Sequence, residues 1–146
     1  MLEGKGYPVK DQTRRGKSAS GKSAGELDIF VQEKNGAPFT IIEALNLKST
    51  DKGYIDLHLK KIFDYDTAGC KHNFILVYSR AQNFSQLCRN YLDYLPFVDY
   101  PYPLHDTQFS VVVDLPFSDI KIVKATHIRN EEEVSLFHVI IDLNKE

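Results

Sequence analysis

The sequence is poor in cysteine and contains no long apolar run. Its 146 residues include two cysteines, Cys70 and Cys88. Two cysteines provide neither a disulfide framework nor the spacing of a metal-binding motif, so we predict reduced thiols in a cytoplasmic protein. No apolar segment is long enough to cross a bilayer, and no signal peptide is recognisable. A membrane partner is therefore not expected.

The charge is close to neutral overall but uneven along the chain. The formal net charge is −2, yet residues 1–24 hold six basic residues and two acidic ones. Such a basic, Gly- and Ser-rich arm is suited to contact a polyanion, and the alternative is a solvated tail. The length of the remainder suits one hydrophobic core, so we predict a single domain over residues 25–146.

Two segments rich in β-branched and aromatic residues, 26–31 and 39–45, flank the pair Asn35-Gly36. Asn-Gly in this position is the strongest short-range signal for a β-hairpin, because both residues tolerate the positive φ of a type I′ turn. A two-residue turn here pairs Lys34 with Ala37 and sets the register of both strands.

The same register brings two acids together. It places Asp28 directly opposite Glu43 on one face of the sheet. Like charges directly opposite on a sheet are destabilising, and a bound cation would remove that repulsion. Because hard divalent cations prefer carboxylate oxygens, the pair is a candidate metal site. The alternative is two exposed strand acids, one of them paired with a lysine.

The remaining periodicity predicts an α/β domain. Helical spacing runs over 52–63 and 84–95, and the continuous apolar run at 73–78 is typical of a strand buried on both faces. A helical crossover makes this strand parallel to the second hairpin strand. Three further strands are predicted, the last two as a hairpin: 109–114, 120–129 and 134–143. We expect a three-layer domain: a mixed central β-sheet flanked by helices, with a C-terminal β-hairpin extension.

The first half of the chain carries an ordered set of motifs: Gly25-Glu26-Leu27-Asp28-Ile29, then Ile41-Ile42-Glu43-Ala44-Leu45, a helix, and Phe74-Ile75-Leu76-Val77-Tyr78. Over residues 25–80 this order resembles the PD-(D/E)XK nuclease superfamily, whose fold is restriction-endonuclease-like. The resemblance implies that Asp28, Glu43 and the carbonyl of Ala44 hold one or two Mg²⁺ or Mn²⁺ ions, which serve phosphodiester hydrolysis. DNA is the implied substrate, and a role in defence for a bacterium or a mobile element fits the resemblance.

Leu45 departs from the family pattern, which has a lysine two residues after the second acid. Such a lysine orients the attacking water and stabilises the charge of the transition state. Lys48, just beyond the strand, is the preferred substitute, and Lys60 and Lys61 on the helix are alternatives. Lys48 needs a bulge or the strand end to reach the face of Glu43.

The family also has a helix and a strand before the Asp, and residues 1–24 are too polar to supply both. We therefore expect either a fragment of a longer protein or a reduced N-terminal part of the fold. Domains of a parent protein and a second copy of the chain are accordingly possible partners besides DNA. His58 faces the site beside Lys61 in one interpretation, and is an ordinary packed or solvated histidine in the other.

A second motif competes with the nuclease interpretation. Residues 16–23 match the P-loop pattern G-x-x-x-x-G-K-[ST], in which Lys22 would contact the outer phosphates and Ser23 a Mg²⁺ ion. A P-loop follows a buried strand and precedes a long helix, whereas polar residues precede this motif and strand signals follow it. In the nuclease interpretation Lys22, like Lys61, is instead a phosphate-binding residue. The third alternative, suggested by Leu45, is a catalytically inactive module that binds nucleic acid or protein.

Overall fold

The computed structural model describes residues 9–11, 29–105, 109–112 and 115–144. Within these ranges the chain forms two α-helices, α1 (Lys52–Tyr65) and α2 (Phe84–Tyr94), and a short 3₁₀ helix, Leu95–Phe97, directly after α2. It also forms seven strands: β1 (Val9–Asp11), β2 (Ile29–Gln32), β3 (Pro38–Leu47), β4 (His72–Ser79), β5 (Ser110–Val112), β6 (Ile120–Arg129) and β7 (Glu132–Asp142). No described helix is both long enough and apolar enough to cross a membrane.

The described strands form one mixed sheet in the order β1-β2-β3-β4-β7-β6-β5. The three central strands, β3, β4 and β7, are parallel, and the outer pairs are antiparallel. Helix α1 connects β3 to β4, which confirms the predicted parallel crossover. The fold is therefore mixed α/β, as the sequence pattern predicts.

Both described helices pack on the same face of the sheet, so the expectation of a three-layer domain is wrong for this part of the chain. Leu45, Val77 and Ile140 form one row across the parallel strands. This row belongs to a single core cluster that contains inward-facing residues of α1 and of α2 alike. The helices also touch directly, because the Tyr94 hydroxyl donates to Asp56 Oδ1 at 2.6 Å. Right-handed crossovers that connect parallel strands successively in one direction across a sheet place their helices on the same face of that sheet.

The C-terminal hairpin is an integral part of the sheet rather than an extension. Its second strand, β7, lies between β4 and β6 and is parallel to β4. On the helix-facing side β7 contributes Leu136 and Ile140 to the core. Its other side carries Phe137, whose ring stacks on Phe74 with centroids 5.2 Å apart. Apolar residues on both sides are typical of a central parallel strand.

The N-terminal arm contains a strand that the sequence did not predict. Val9–Asp11 pairs antiparallel with β2, with Lys10 opposite Phe30. The sequence predicts only a basic arm or a solvated tail here, because the segment is short and polar, but an edge strand requires hydrogen bonds on only one side. The other residues of the predicted arm, 1–8 and 12–24, lie outside the described residues.

The β2–β3 turn differs from the predicted type I′ turn. Gly36 has a φ of 83°, whereas Asn35 keeps a negative φ. The Gly36 N–H donates to the Glu33 carbonyl at 2.9 Å, and the Glu33 N–H donates to the Ala37 carbonyl at 2.8 Å. The Asn35 side chain accepts from the Ala37 N–H at 2.9 Å, an Asx contact that favours this geometry. The predicted pairing of Lys34 with Ala37 is therefore wrong.

The register beyond this turn is nevertheless the predicted one. The turn shifts the pairing by one residue, so that Gln32 lies opposite Pro38. A bulge between Val31 and Gln32 then shifts it back, and Ile29 lies opposite Ile42. A one-residue slip would turn every β3 side chain to the other face, so burial of one face selects the corrected register.

The carboxylate of Asp66 holds the end of α1 and the start of β4. It accepts the N–H groups of Gly69 and Cys70 at 2.9 and 2.8 Å and the Asn73 amide at 2.9 Å. Arg129 Nη1 lies 3.5 Å away. Burial raises the pKa of Asp66, but these hydrogen bonds and the Arg129 charge outweigh it, so the pKa lies below its usual value. The ionised carboxylate thus fixes where α1 ends against the sheet.

The β6–β7 turn offers a test of backbone strain. Asn130 and Glu131 have φ values of 51° and 66°, so this two-residue turn has the positive φ values of type I′. We expect Glu131→Gly to raise the free energy of unfolding by about 0.5 kcal/mol, because glycine adopts positive φ without strain.

Urea denaturation measures this change. The matched control is Glu133→Gly, which places glycine inside β7 and should lower the free energy of unfolding by about 0.5–1 kcal/mol. A loss of stability in Glu131→Gly would contradict the assigned turn geometry.

Candidate functional site

One carboxylate is buried in an otherwise apolar row of β3. The side chains that face the helices are Ile41, Glu43, Leu45 and Leu47. The three apolar members belong to the core, and Glu43 is 0 % exposed. An ionised carboxylate in such surroundings is costly unless it is paired and hydrogen-bonded. The partners of Glu43 are therefore the starting point for the function of this region.

Helix α1 supplies both of the partners that Glu43 has in the described structure. His58 Nδ1 lies 2.6 Å from Glu43 Oε1, and Lys61 Nζ lies 3.2 Å from the same oxygen. His58 and Lys61 are three residues apart, so they are neighbours on one side of the helix. Among the described residues, the second oxygen, Glu43 Oε2, is buried and has no hydrogen-bond partner.

The site continues along a stripe of α1 formed by Tyr54, His58, Lys61 and Tyr65. Its spacing of four, three and four residues follows the helical period. The Tyr54 and His58 rings meet edge to face with centroids 4.4 Å apart, and Lys61 Nζ lies 5.5 Å from the Tyr65 ring centroid. His58 is buried, whereas Lys61 is 26 % exposed. Lys61 therefore connects the buried carboxylate with solvent.

The predicted site residues are only partly brought together. Glu43 and Lys61 are in contact. Asp28 and Lys22 lie outside the described residues. The residue after Asp28, Ile29, has the predicted partner Ile42.

Lys48 and Ala44 lie on the same strand segment as Glu43 but are directed differently. Lys48 is exposed and follows the last residue of β3. No ion pair joins Lys48 to Glu43 in the described structure, where the lysine in contact is Lys61. Ala44 is 7 % exposed, and its side chain lies on the face of β3 opposite to that of Glu43.

Leu45 has a structural role in the core. Its side chain is 0 % exposed and belongs to the core cluster shared by both helices. A lysine at this position would bury an ammonium group beneath the helices. The cation that contacts Glu43 in the described structure is Lys61, whose side chain is partly exposed.

The role of His58 was not resolved by the sequence. It is packed, as one interpretation expected, but it also contacts the candidate site residue Glu43. The sequence does contain a sign of this role, because α1 has a second stripe beside its apolar one, formed by Tyr54, His58, Lys61 and Tyr65. The stripe can be assigned to the site only when the strand that packs against it is known.

The structure also describes the strands that precede and follow the P-loop match. The motif itself, residues 16–23, lies outside the described residues. Strand β2 begins at Ile29, which leaves no room for a long helix directly after the motif. The strand before it, Val9–Asp11, is at the sheet edge rather than buried within the sheet.

The described residues contain no group of three or more His, Cys, Asp or Glu side chains arranged to hold a metal ion. No protein-family profile matches this chain, and no curated protein matches its sequence.

Two further buried histidines serve the core instead. Burial, with a smaller contribution from the nearby His127, lowers the pKa of His138 to about 3. His138 Nδ1 lies 2.7 Å from the Tyr91 hydroxyl of α2. Burial also lowers the pKa of His127, although a hydrogen bond to the Tyr102 carbonyl opposes this. Both imidazoles are therefore neutral in the folded protein at neutral pH.

Neutral burial of His138 predicts acid-sensitive stability. Its folded-state pKa lies below the unfolded value, so its contribution is present above about pH 6.5 and is lost as pH falls towards the folded pKa. Between pH 7 and pH 5 we expect this residue to cost the folded state about 2 kcal/mol. In His138→Gln the loss of stability over this interval should be smaller by that amount.

Urea denaturation at several pH values tests this expectation. The matched control is His72→Gln, which removes an exposed histidine of β4 and leaves His138 in place, so the acid-induced loss expected from His138 should remain. Identical pH dependence in wild type and His138→Gln would show that His138 is not buried as the neutral form.

The Glu43–Lys61 ion pair predicts that substitution of Lys61 lowers the free energy of unfolding more than substitution of its neighbour Lys60. Lys61→Met leaves a buried carboxylate without its ammonium partner, so we expect the free energy of unfolding at pH 7 to fall by about 1 kcal/mol. Lys60→Met, at the adjacent exposed position, should change it by less than about 0.5 kcal/mol. Equal effects in urea denaturation would contradict a stabilising ion pair.

Proposed function

We propose that this chain is a metal-dependent nuclease domain that hydrolyses phosphodiester bonds in DNA, with Mg²⁺ or Mn²⁺ as cofactor. The observation that carries the proposal is the buried carboxylate of Glu43 in contact with Lys61. A carboxylate on a central strand of the sheet and an ammonium group on the helix that covers it are the groups needed to bind a hard cation and to stabilise a phosphate in hydrolysis.

Glu43 fits the role of a metal ligand. One of its oxygens is buried without a partner among the described residues, although carboxylate oxygens normally have one. The resemblance adds Asp28 and the carbonyl of Ala44 as the remaining protein ligands. A divalent cation held there would neutralise charge on the scissile phosphate and lower the pKa of water.

Lys61 is proposed to take the part of the lysine that the family pattern has at the position of Leu45. Hydrolysis forms a bond from a water oxygen to phosphorus and breaks the bond from phosphorus to one ester oxygen, which leaves with a proton. The Lys61 ammonium group is suited to orient that water and to stabilise negative charge on the phosphate oxygens. This assignment favours Lys61 over Lys48, because Lys61 is the lysine in contact with Glu43.

His58 is proposed to be a positioning residue. It is 1 % exposed and lies 2.6 Å from Glu43 Oε1, while Tyr54 packs against its ring. A side chain held on two sides fixes the rotamer of the carboxylate it contacts, as outer partners commonly do for metal ligands.

A binding module without catalysis is the second candidate, and Leu45 is the observation that favours it. Leu45 belongs to the core at the position where the family pattern has a lysine. Such a chain is able to keep the fold and its charged surface residues for binding without catalysing phosphodiester hydrolysis. This candidate predicts salt-sensitive DNA binding and no cleavage with any divalent metal.

Cleavage of plasmid and oligonucleotide DNA with Mg²⁺ and with Mn²⁺ tests the proposal. We expect Glu43→Gln and Asp28→Asn to lower the cleavage rate by at least about 100-fold, because each removes a charged ligand. We expect a similar loss in Lys61→Met, which removes a charge directed at the phosphate. The matched control, Lys60→Met, should cleave at the wild-type rate.

Calorimetric titration with Mn²⁺ separates the two roles. Glu43→Gln should lose metal binding, whereas Lys61→Met should keep it. DNA binding without cleavage by the wild-type protein would transfer the assignment to the binding module. Metal binding and cleavage that survive in Glu43→Gln would rule out the site.

A further inference from the structure

A cavity lined by several polar and charged residues lies at the C-terminal ends of β3 and β4. It has a volume of about 400 Å³ and is lined by Asn46, Lys48, Ser49, Asp51, Tyr54 and Arg80, among others. The proposed reaction does not use Lys48 or Arg80. Two cations in one cavity therefore require a separate explanation.

The strand register brings Lys48 and Arg80 side by side. Leu47 and Ser79 are the last residues of β3 and β4, and they are paired in the parallel ladder. Lys48 and Arg80 each follow directly, and the Arg80 N–H donates to the Leu47 carbonyl at 2.8 Å. Both side chains are exposed. Neighbouring like charges repel each other, and an anion bound between them converts this repulsion into attraction.

The acid in the cavity lining does not neutralise this pair. Asp51 is the N-cap of α1, and its Oδ1 accepts the backbone N–H of Tyr54 at 3.1 Å. With one acid and two cations among the described lining residues, the cavity keeps a positive formal charge. It is therefore suited to an anionic group that approaches from solvent.

The cavity is linked to the candidate site by side-chain contacts. Tyr54 lines the cavity, and its ring contacts His58, which in turn contacts Glu43. Along β3, Lys48 is five residues from Glu43, which corresponds to about 16 Å of strand. One strand of duplex DNA has a phosphate every 3.4 Å of helix axis, so this distance spans about five nucleotides.

We infer that Lys48 and Arg80 bind backbone phosphates of the nucleic acid several nucleotides away from the scissile bond. This inference rests on the proposed function, because it takes the site at Glu43 as the place of cleavage. The substrate strand then extends from Glu43 and Lys61 past Tyr54 to the C-terminal ends of β3 and β4. The contacts are to phosphates, so they contribute affinity without sequence preference.

Binding of fluorescein-labelled duplex DNA, measured by anisotropy in EDTA, tests the inference without requiring cleavage. Each phosphate contact contributes about 0.9 to the slope of log K against log salt concentration. We expect Lys48→Ala/Arg80→Ala to make this slope shallower by about 1.8 and to weaken binding. The charge-matched control, Lys60→Ala/Arg89→Ala, changes exposed residues on α1 and α2 and should keep the wild-type slope.

The outcomes separate this inference from the nuclease proposal. A reduced slope in the Lys48/Arg80 variant, with a wild-type protein that binds DNA but never cleaves it, would support the phosphate contacts and end the nuclease proposal. An unchanged slope and affinity in that variant would overturn the inference, even if the wild-type protein cleaves DNA. Absence of DNA binding by the wild-type protein would overturn this inference, and absence of both binding and metal-dependent cleavage would overturn both proposals.

Discussion

A single charged group buried in β3 constrains the rest of the structure. Glu43 has no exposed surface, and burial of a carboxylate is tolerated only with close partners. Those partners, His58 and Lys61, both lie on α1, so the helix must pack with one particular side towards β3. This orientation also fixes where Tyr54 and the apolar stripe of α1 point. The pairing of Glu43 and the core packing of α1 therefore require the same orientation of the helix.

The side chains of β3 that face the helices serve two purposes, packing of the core and formation of the candidate site. Leu45 packs beneath both helices, and Glu43, two residues earlier, lies where α1 presents polar side chains. A lysine at position 45 would be desolvated, whereas Lys61 keeps about a quarter of its surface in solvent and still reaches the carboxylate. A cation supplied by the helix is therefore compatible with a tightly packed strand in a way that a cation on the strand is not.

Local signals explain which parts of the fold were predictable. The helices, the buried strand β4 and the β3–α1–β4 crossover follow from periodicity and from the handedness of crossovers. The face covered by α2 and the central place of β7 do not, because they depend on strand order, which periodicity leaves open. The turn at Asn35-Gly36 was assigned the wrong type, since Asn35 bonds to the Ala37 N–H instead of adopting positive φ.

By itself the sequence determined both α-helices, six of the seven described strands, the Ile29–Ile42 register and the candidate acid Glu43, because these depend on neighbours in the chain and on alternation along a strand. Only the tertiary structure decided which cation meets that acid. Lys48, Lys60 and Lys61 are close in sequence, yet Lys61 is the one that contacts Glu43, because it lies on the same side of α1 as His58. The juxtaposition of Lys48 and Arg80 likewise exists only because β3 and β4 pair in parallel and end at the same level. Contacts between elements depend on packing, and packing is a property of the whole core.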